Sequence, residues 1–338
     1  MARQRRVRAS SKRAAIIFGI LFIVIAASVL LYIYSRTFAK ANRMGLPLTK
    51  FAFDSIMTRA LPALIGMSIS GFLIAVMSQA FQTATESRIL TPSMIGFDSV
   101  FVGTQTLIVF LFGAGSKIFS NGYINYLISA GVMVIISMLM YGMILRKNRS
   151  NLVFLLMFGL VLSGIIRSGA SYLQLIMNAN DYMQIQAATA VTVNNMNTRI
   201  IYPVAPIMAI TGLAIILRHK TYDVIALGRV NAKNLGVNYD REINVNLLLI
   251  SIGMSVTTAL IGSLAFLGLL AVNIAREIFK THRHSILFIG AGLFAVVALI
   301  FGQATVELLQ AAVPITTIID LLGCSYMFYL ILKENKKV

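Results

Sequence analysis

The 338-residue chain has little negative charge, few charged residues of either sign and a single cysteine. Asp and Glu number 11 against 29 Lys and Arg, a formal net charge of +18. Charged residues make up 12% of the chain, about half their share in a soluble domain. Hydrophobic residues make up 58%, and the mean hydropathy is +0.84. A soluble fold this apolar could not cover its own surface. A soluble enzyme, a disordered chain and a nucleic-acid-binding domain are therefore excluded. The lone Cys324 excludes an intrachain disulfide. The only histidines, His219, His282 and His284, lie in short basic stretches with no cysteine or carboxylate cluster beside them. They are expected to be solvated loop residues, and no metal site is expected.

Catalytic signatures are missing as well. The chain has no GxxxxGK[ST] phosphate loop, no GxSxG and no HExxH. Gly113-Ala114-Gly115-Ser116-Lys117 lacks the Gly-Lys-Ser/Thr ending. No catalytic residue and no cofactor is expected. Energy for uphill movement of a solute must come from an ion gradient or from another subunit.

What the chain does have is apolar runs. Residues 14–34 contain no charge and are long enough to cross a bilayer, and Arg3, Arg5, Arg6, Arg8, Lys12 and Arg13 precede them. The run exceeds a signal-peptide core and is read as a retained first helix. Further runs lie at 60–83, 95–112, 122–145, 152–177, 200–217, 244–261, 264–275, 285–305 and 313–332. The 264–275 run is too short for a regular crossing and is expected to be a half-span buried in protein. The fold class is all-α: one polytopic membrane domain over residues 1–338 with about ten transmembrane helices. The outer stretch 178–199 is polar and is expected to hold a short surface helix.

Most of the basic residues fall at the N-terminus, at 84–94, 146–149, 218–241 and 276–283, and in the tail. With ten crossings all of these lie on one side, so the positive-inside rule puts both termini in the cytoplasm. The basic surplus thus reports topology in a lipid bilayer rather than a nucleic-acid partner. Arg36, Lys40, Arg43, Lys50 and Arg59 fall outside.

Polar residues within the spans are costly and informative. Ser163, Arg167, Ser171 and Gln174 are spaced 4, 4 and 3, which sets them within an arc of roughly 80° on one helix face. That face either lines a polar pathway or makes a buried contact with neighbouring helices. In the last span Thr316, Asp320, Gly323 and Met327 share a face, and Asp320 either joins the same cavity or pairs with Arg167 or a helix end. Asp98, near the start of the third span, suits a helix N-terminus.

The inner stretch 218–241 reads RHKTYDVIALGRVNAKNLGVNYDR. Apolar Val224, Leu227, Val230 and Leu235, with Gly228 and Gly236 as breakers, predict a short amphipathic helix or helix pair on the cytoplasmic surface. Ala226-Leu227-Gly228, Ala232 and Leu235-Gly236-Val237 resemble the ALGxxxAxxLGV coupling segment of iron-chelate and vitamin B12 ABC importer permeases. Gly262-Ser263-Leu264-Ala265-Phe266-Leu267-Gly268-Leu269, followed by Ile274-Ala275-Arg276, is similar to that family's GxIxFxGLxxPHxAR. Ile89-Leu90-Thr91-Pro92-Ser93-Met94-Ile95-Gly96 resembles its PLAxPxxLG loop. The three occur in matching order between about residues 55 and 333. Val272-Asn273 stands where the family has Pro-His, Ala60-Leu61-Pro62-Ala63 where it has RLPR, and Cys324-Ser325 where it has Gly-Pro. The form RILTPSMIGFDS looks most like the ferric-siderophore branch, in particular catecholate-type permeases.

The resemblance implies a type II, vitamin B12 permease-like subunit of an ABC importer in a prokaryotic cytoplasmic membrane. It would carry an iron(III)-siderophore without ligating iron itself. The implied partners are two ATPase subunits, a second permease (identical or homologous) and an extracytoplasmic substrate-binding protein. Ala226, Leu227, Gly228, Ala232, Leu235 and Gly236 would couple to the ATPase. Ser163, Arg167, Ser171, Gln174 and Asp320 would line the pathway. Arg36, Lys40, Arg43, Lys50 and Arg59 would either meet acidic groups on the binding protein or be solvated loop charges. The alternatives are a permease for heme or vitamin B12, and a stand-alone carrier driven by an ion gradient.

Overall fold

A computed structural model describes the backbone of residues 2–39, 60–147, 152–189, 198–309 and 314–335. The helices are α1 (Ala2–Ile33, continued by a π-turn Tyr34–Ala39), α2 (Leu61–Ala84), α3 (Phe97–Phe112), α4 (Lys117–Ser120) and α5 (Gly122–Lys147). They continue with α6 (Leu152–Ile176), α7 (Ala179–Thr189), α8 (Thr198–Leu217), α9 (His219–Ile225) and α10 (Arg229–Asn234). The last four are α11 (Tyr239–Ile261), α12 (Leu267–Phe279), α13 (His284–Leu309) and α14 (Ile315–Asn335).

Every apolar run expected to cross the membrane is helical. Seven of these helices are long and apolar enough to span by length and composition. The other three runs form α3, α12 and α14, the last with its apolar part at Ile315–Tyr329. At 13 residues α12 rises only about 20 Å, less than the hydrocarbon core of about 30 Å. It follows α11 after a break at residues 262–266, where α11 stops at Gly262. The polar stretch after α6 holds the short helix α7, and the 218–241 stretch folds as the pair α9 and α10.

The bundle is organised around α2, which packs against α8, α11, α12 and α13. In its spanning window 72% of the residues are buried, against 11% for α6 at the periphery. Lipid tails are as apolar as leucine, so helices associate through close packing rather than by escaping water. The sequence of α2 suits that role, because Gly66, Ser70, Gly71, Ala75, Ser78, Ala80 and Ala84 are all buried small residues. At Gly71 a Cβ would sit 2.7 Å from Leu299 Cδ1 and 3.4 Å from the Ala295 carbonyl oxygen, so glycine is what lets α13 lie against α2. Larger residues of α2, including Leu73, Met77 and Phe81, belong to a core shared with α3, α5, α8 and α11. Met67, Ile74 and Ala75 belong to a second core with α1, α12 and α13. On the far flank α3 packs against α5 and α6.

Candidate coupling and transport site

The 218–241 stretch, the candidate coupling segment, is a double helix turn. α9 ends at Ile225, and Gly228 (φ +86°) reverses the chain into α10. α10 closes with a Schellman arrangement: the Val237 N–H donates to the Ala232 carbonyl at 3.1 Å and the Gly236 N–H to the Lys233 carbonyl at 3.0 Å. Gly236 supplies the left-handed residue at φ +82° that this motif requires. Arg229 and Lys233 each pair with Asp240 at 3.1 Å, holding α10 against the start of α11. Ala232 is fully buried and points inward. Leu227, Val230 and Leu235 are 54%, 72% and 62% exposed, forming an apolar outer face.

Below this face, polar groups tie α9 to the bundle. The Tyr222 hydroxyl donates to Asn246 Oδ1, and Asn246 Nδ2 reaches the Ala80 carbonyl at 3.5 Å. Burial pushes the Tyr222 hydroxyl well above the ordinary phenol range, so it acts as a donor. Arg218 pairs with Glu242. Asp223 Oδ1 faces His284 Nδ1 at 2.7 Å, and Thr83 Oγ1 faces His284 Nε2 at 2.8 Å. This corrects the reading of His284 as a solvated loop residue: its burial leaves 4% exposed. No local signal marks it, because its partners lie 61 and 201 positions away.

The other two motifs converge on the same region. The Thr91 hydroxyl lies 3.4 Å from the Ala265 carbonyl, and Asn273 Nδ2 donates to the Arg88 carbonyl at 3.1 Å. A cleft of about 650 Å³ opens between these loops and the coupling stretch, lined by Gln82, Arg88, Leu227, Asn273, Arg276 and His284 among others. Gly228 is close to the loop after α2, since a Cβ there would lie 3.8 Å from Glu86 Oε1.

The polar stripe of α6 divides. Ser163 packs against the start of α3, where a Cβ on Gly96 would lie 3.0 Å from Ser163 Cβ, and its hydroxyl donates to the Gly159 carbonyl at 2.5 Å. Gln174 Nε2 donates to Thr106 Oγ1 on α3 at 2.8 Å. Between them Arg167 and Ser171 are exposed. The stripe's two ends therefore make helix contacts and its middle is open. Asp98, in the first turn of α3, has a buried carboxylate oxygen, Oδ1, with no hydrogen-bond partner among the described residues. Asp320 Oδ1, on α14, is likewise buried without a hydrogen-bond partner among the described residues. Near Asp320, Gly323 of α14 packs directly against the Phe266 side chain in the break between α11 and α12.

Arg36 donates to the Tyr32 hydroxyl at 2.5 Å and pairs with Glu307 at 3.3 Å, with the two side chains 12% and 13% exposed. Its charge is engaged within the chain. Lys40, Arg43, Lys50 and Arg59 lie outside the described residues. Ser116, in the glycine-containing stretch at 113–117, accepts the Phe119 N–H at 3.3 Å as an ordinary cap of α4. Among the described residues no group of three His, Cys, Asp or Glu is placed to hold a metal ion.

The petrobactin import system permease protein YclO of Bacillus subtilis is 36% identical over 285 residues, covering 84% of this chain and 90% of that protein. The petrobactin import system permease protein FatC of Bacillus anthracis is 29% identical over 292 residues, covering 86% of this chain and 82% of its own. A solved inward-facing structure of a metal-chelate type ABC transporter superposes with a TM-score of 0.75 at 18% identity, over 94% of this chain and 99% of that one, and supports the fold. Residues 14–333 match the FecCD transport family along nearly the whole described bundle. The chain is a prokaryotic membrane protein that belongs to the FecCD transport family, the iron-chelate ABC importer permeases.

Proposed function

We propose that the chain is the permease subunit of an ABC importer that moves an iron(III)-siderophore across the cytoplasmic membrane. The observation that carries the reading is the coupling stretch, a short helix pair closed by Gly228 and Gly236 that turns Leu227, Val230 and Leu235 outward. Apolar and exposed among the described residues, this face suits a groove on a soluble ATPase. Relatives named for petrobactin import support a catecholate-type chelate as the cargo.

Residues 1–338 form one transmembrane domain with both termini in the cytoplasm. It works with two ATPase subunits, a second permease and an extracytoplasmic binding protein. A homologous rather than identical second permease is favoured by two petrobactin permeases, YclO and YclN, from one organism among the relatives. Ala226, Leu227, Gly228, Leu235 and Gly236 form the ATPase contact, and the buried Ala232 packs α10 beneath it. Ser163, Arg167, Ser171 and Gln174, with Asp320, border the pathway, and the exposed Arg167 and Ser171 are its open part. Lys40, Arg43, Lys50 and Arg59 meet acidic groups on the binding protein, while Arg36 serves mainly to hold Glu307.

The test is co-purification. The intact permease is expected to retain an ATPase, and Leu227→Asp or Gly236→Asp to release it. ATP-dependent uptake that survives both substitutions would remove the coupling assignment.

A further inference from the structure

His284 opens α13 at the end of the bundle that carries α9 and α10. It is 4% exposed, and both ring nitrogens are engaged. Nδ1 lies 2.7 Å from Asp223 Oδ1, and that same oxygen accepts the His284 backbone N–H at 2.8 Å. A carboxylate facing Nδ1 holds the ring proton there and leaves Nε2 to face the hydroxyl of Thr83 at 2.8 Å. Thr83 sits in the last turn of α2. The Tyr222 and Phe288 rings flank the imidazole, with centroids 5.9 and 5.6 Å away, and confine it to this orientation.

One side chain therefore links three elements: α9 through Asp223, α13 through its own backbone and α2 through Thr83. Among the described residues, the other polar links from this end of the stretch run from Arg218 to Glu242 on α11, and from Tyr222 to Asn246 on α11, which in turn reaches the Ala80 carbonyl of α2. The link through His284 adds α13, the main packing neighbour of α2, and joins it to α9 and α2 through one side chain. Hydrogen bonds are lost beyond about 3.5 Å. A displacement of α9 by more than about 1 Å must therefore either carry His284 with it or break its contact with the Asp223 carboxylate.

We propose that Asp223, His284 and Thr83 form the joint through which movement of the coupling stretch is passed to α13 and α2. His284 acts as a positioning residue and touches neither cargo nor metal. The joint rests on the reading of residues 226–236 as the ATPase contact.

The experiment uses the whole importer in proteoliposomes, with cargo uptake and ATP hydrolysis measured on the same sample. In His284→Ala, the ATPase stays bound and hydrolysis continues, while ATP hydrolysed per chelate taken up rises about tenfold. Asp223→Asn keeps an oxygen acceptor for the ring N–H and the backbone N–H, so its rise is smaller, which a general loss of folding would not produce. If His284→Ala does not assemble, Thr83→Val decides: it removes the Nε2 partner without touching the coupling stretch, and a raised ratio supports the joint. An unchanged ratio in the variant that assembles overturns it. Leu227→Asp run in parallel separates the two claims. Release of the ATPase by Leu227→Asp, with a wild-type ratio in His284→Ala, removes the joint alone. Retention of the ATPase and of uptake in Leu227→Asp removes the coupling reading and the joint with it.

Discussion

Asn273 Nδ2 donates to the backbone carbonyl of Arg88 at 3.1 Å and to the Leu269 carbonyl at 2.9 Å, so the short helix α12 holds the loop that follows α2. This asparagine occupies the position where the related permeases carry the histidine of a Pro-His pair. A side-chain amide has two N–H donors and serves both carbonyls at once.

Asn273→Asp retains the size and removes both donors. It is expected to free the 85–91 loop and cost about 1–3 kcal/mol, since two part-buried carbonyls then face a carboxylate. Faster protease cleavage after Arg88 in the detergent-solubilised protein is the measurement, and Asn273→Gln is expected to fall between the two. Identical cleavage rates in all three would show that the loop is held by other contacts.

Gly71→Val should separate α13 from α2. The added Cβ meets Leu299 Cδ1 at 2.7 Å, and overpacking of this kind costs about 1–3 kcal/mol. A lower melting temperature is expected, and Leu299→Ala in the same chain is expected to restore part of it by opening the space. Equal losses in the single and the double variant would mean that the helices meet differently.

Arg36 and Glu307 are largely buried, so removing one partner leaves a charge with poor compensation. Arg36→Ala is expected to destabilise by about 3–5 kcal/mol, and Arg36→Ala with Glu307→Ala by less than the sum of the two singles. A thermal double-mutant cycle reads this. If Arg36→Ala left stability intact and weakened binding-protein affinity instead, Arg36 would belong with the docking residues.

Thiol labelling probes the α6 stripe. In a Cys324→Ser background, Ser171→Cys lies at an exposed position and is expected to react quickly with a water-soluble reagent in assembled importer. Ser163→Cys, packed against Gly96, is expected to react about tenfold more slowly. The reverse order would turn the stripe's solvated part around.

The helices were legible because hydropathy over about twenty residues is a local property, and even the short α12 was readable from its length. The coupling pair was legible for a similar reason: Gly228 and Gly236 mark the turns, and apolar residues between them mark the faces. The stripe of α6 was readable as a face but not as two environments, since only the position of α3 decides that Ser163 and Gln174 are covered while Ser171 is open. His284 was misread because a histidine in THRH looks solvated until the fold brings Asp223 and Thr83 to it. Glu307 was missed as the partner of Arg36 because 271 residues separate them.

The central claim is that movement of cargo through this bundle is driven by nucleotide hydrolysis in a partner gripping residues 226–236. The most direct measurement is chelate uptake into proteoliposomes holding the complete importer, with ATP supplied or withheld and with Leu227 intact or changed to Asp. The account predicts uptake only with ATP and only with Leu227. Accumulation by the permease without nucleotide, under an ion gradient alone, would contradict it.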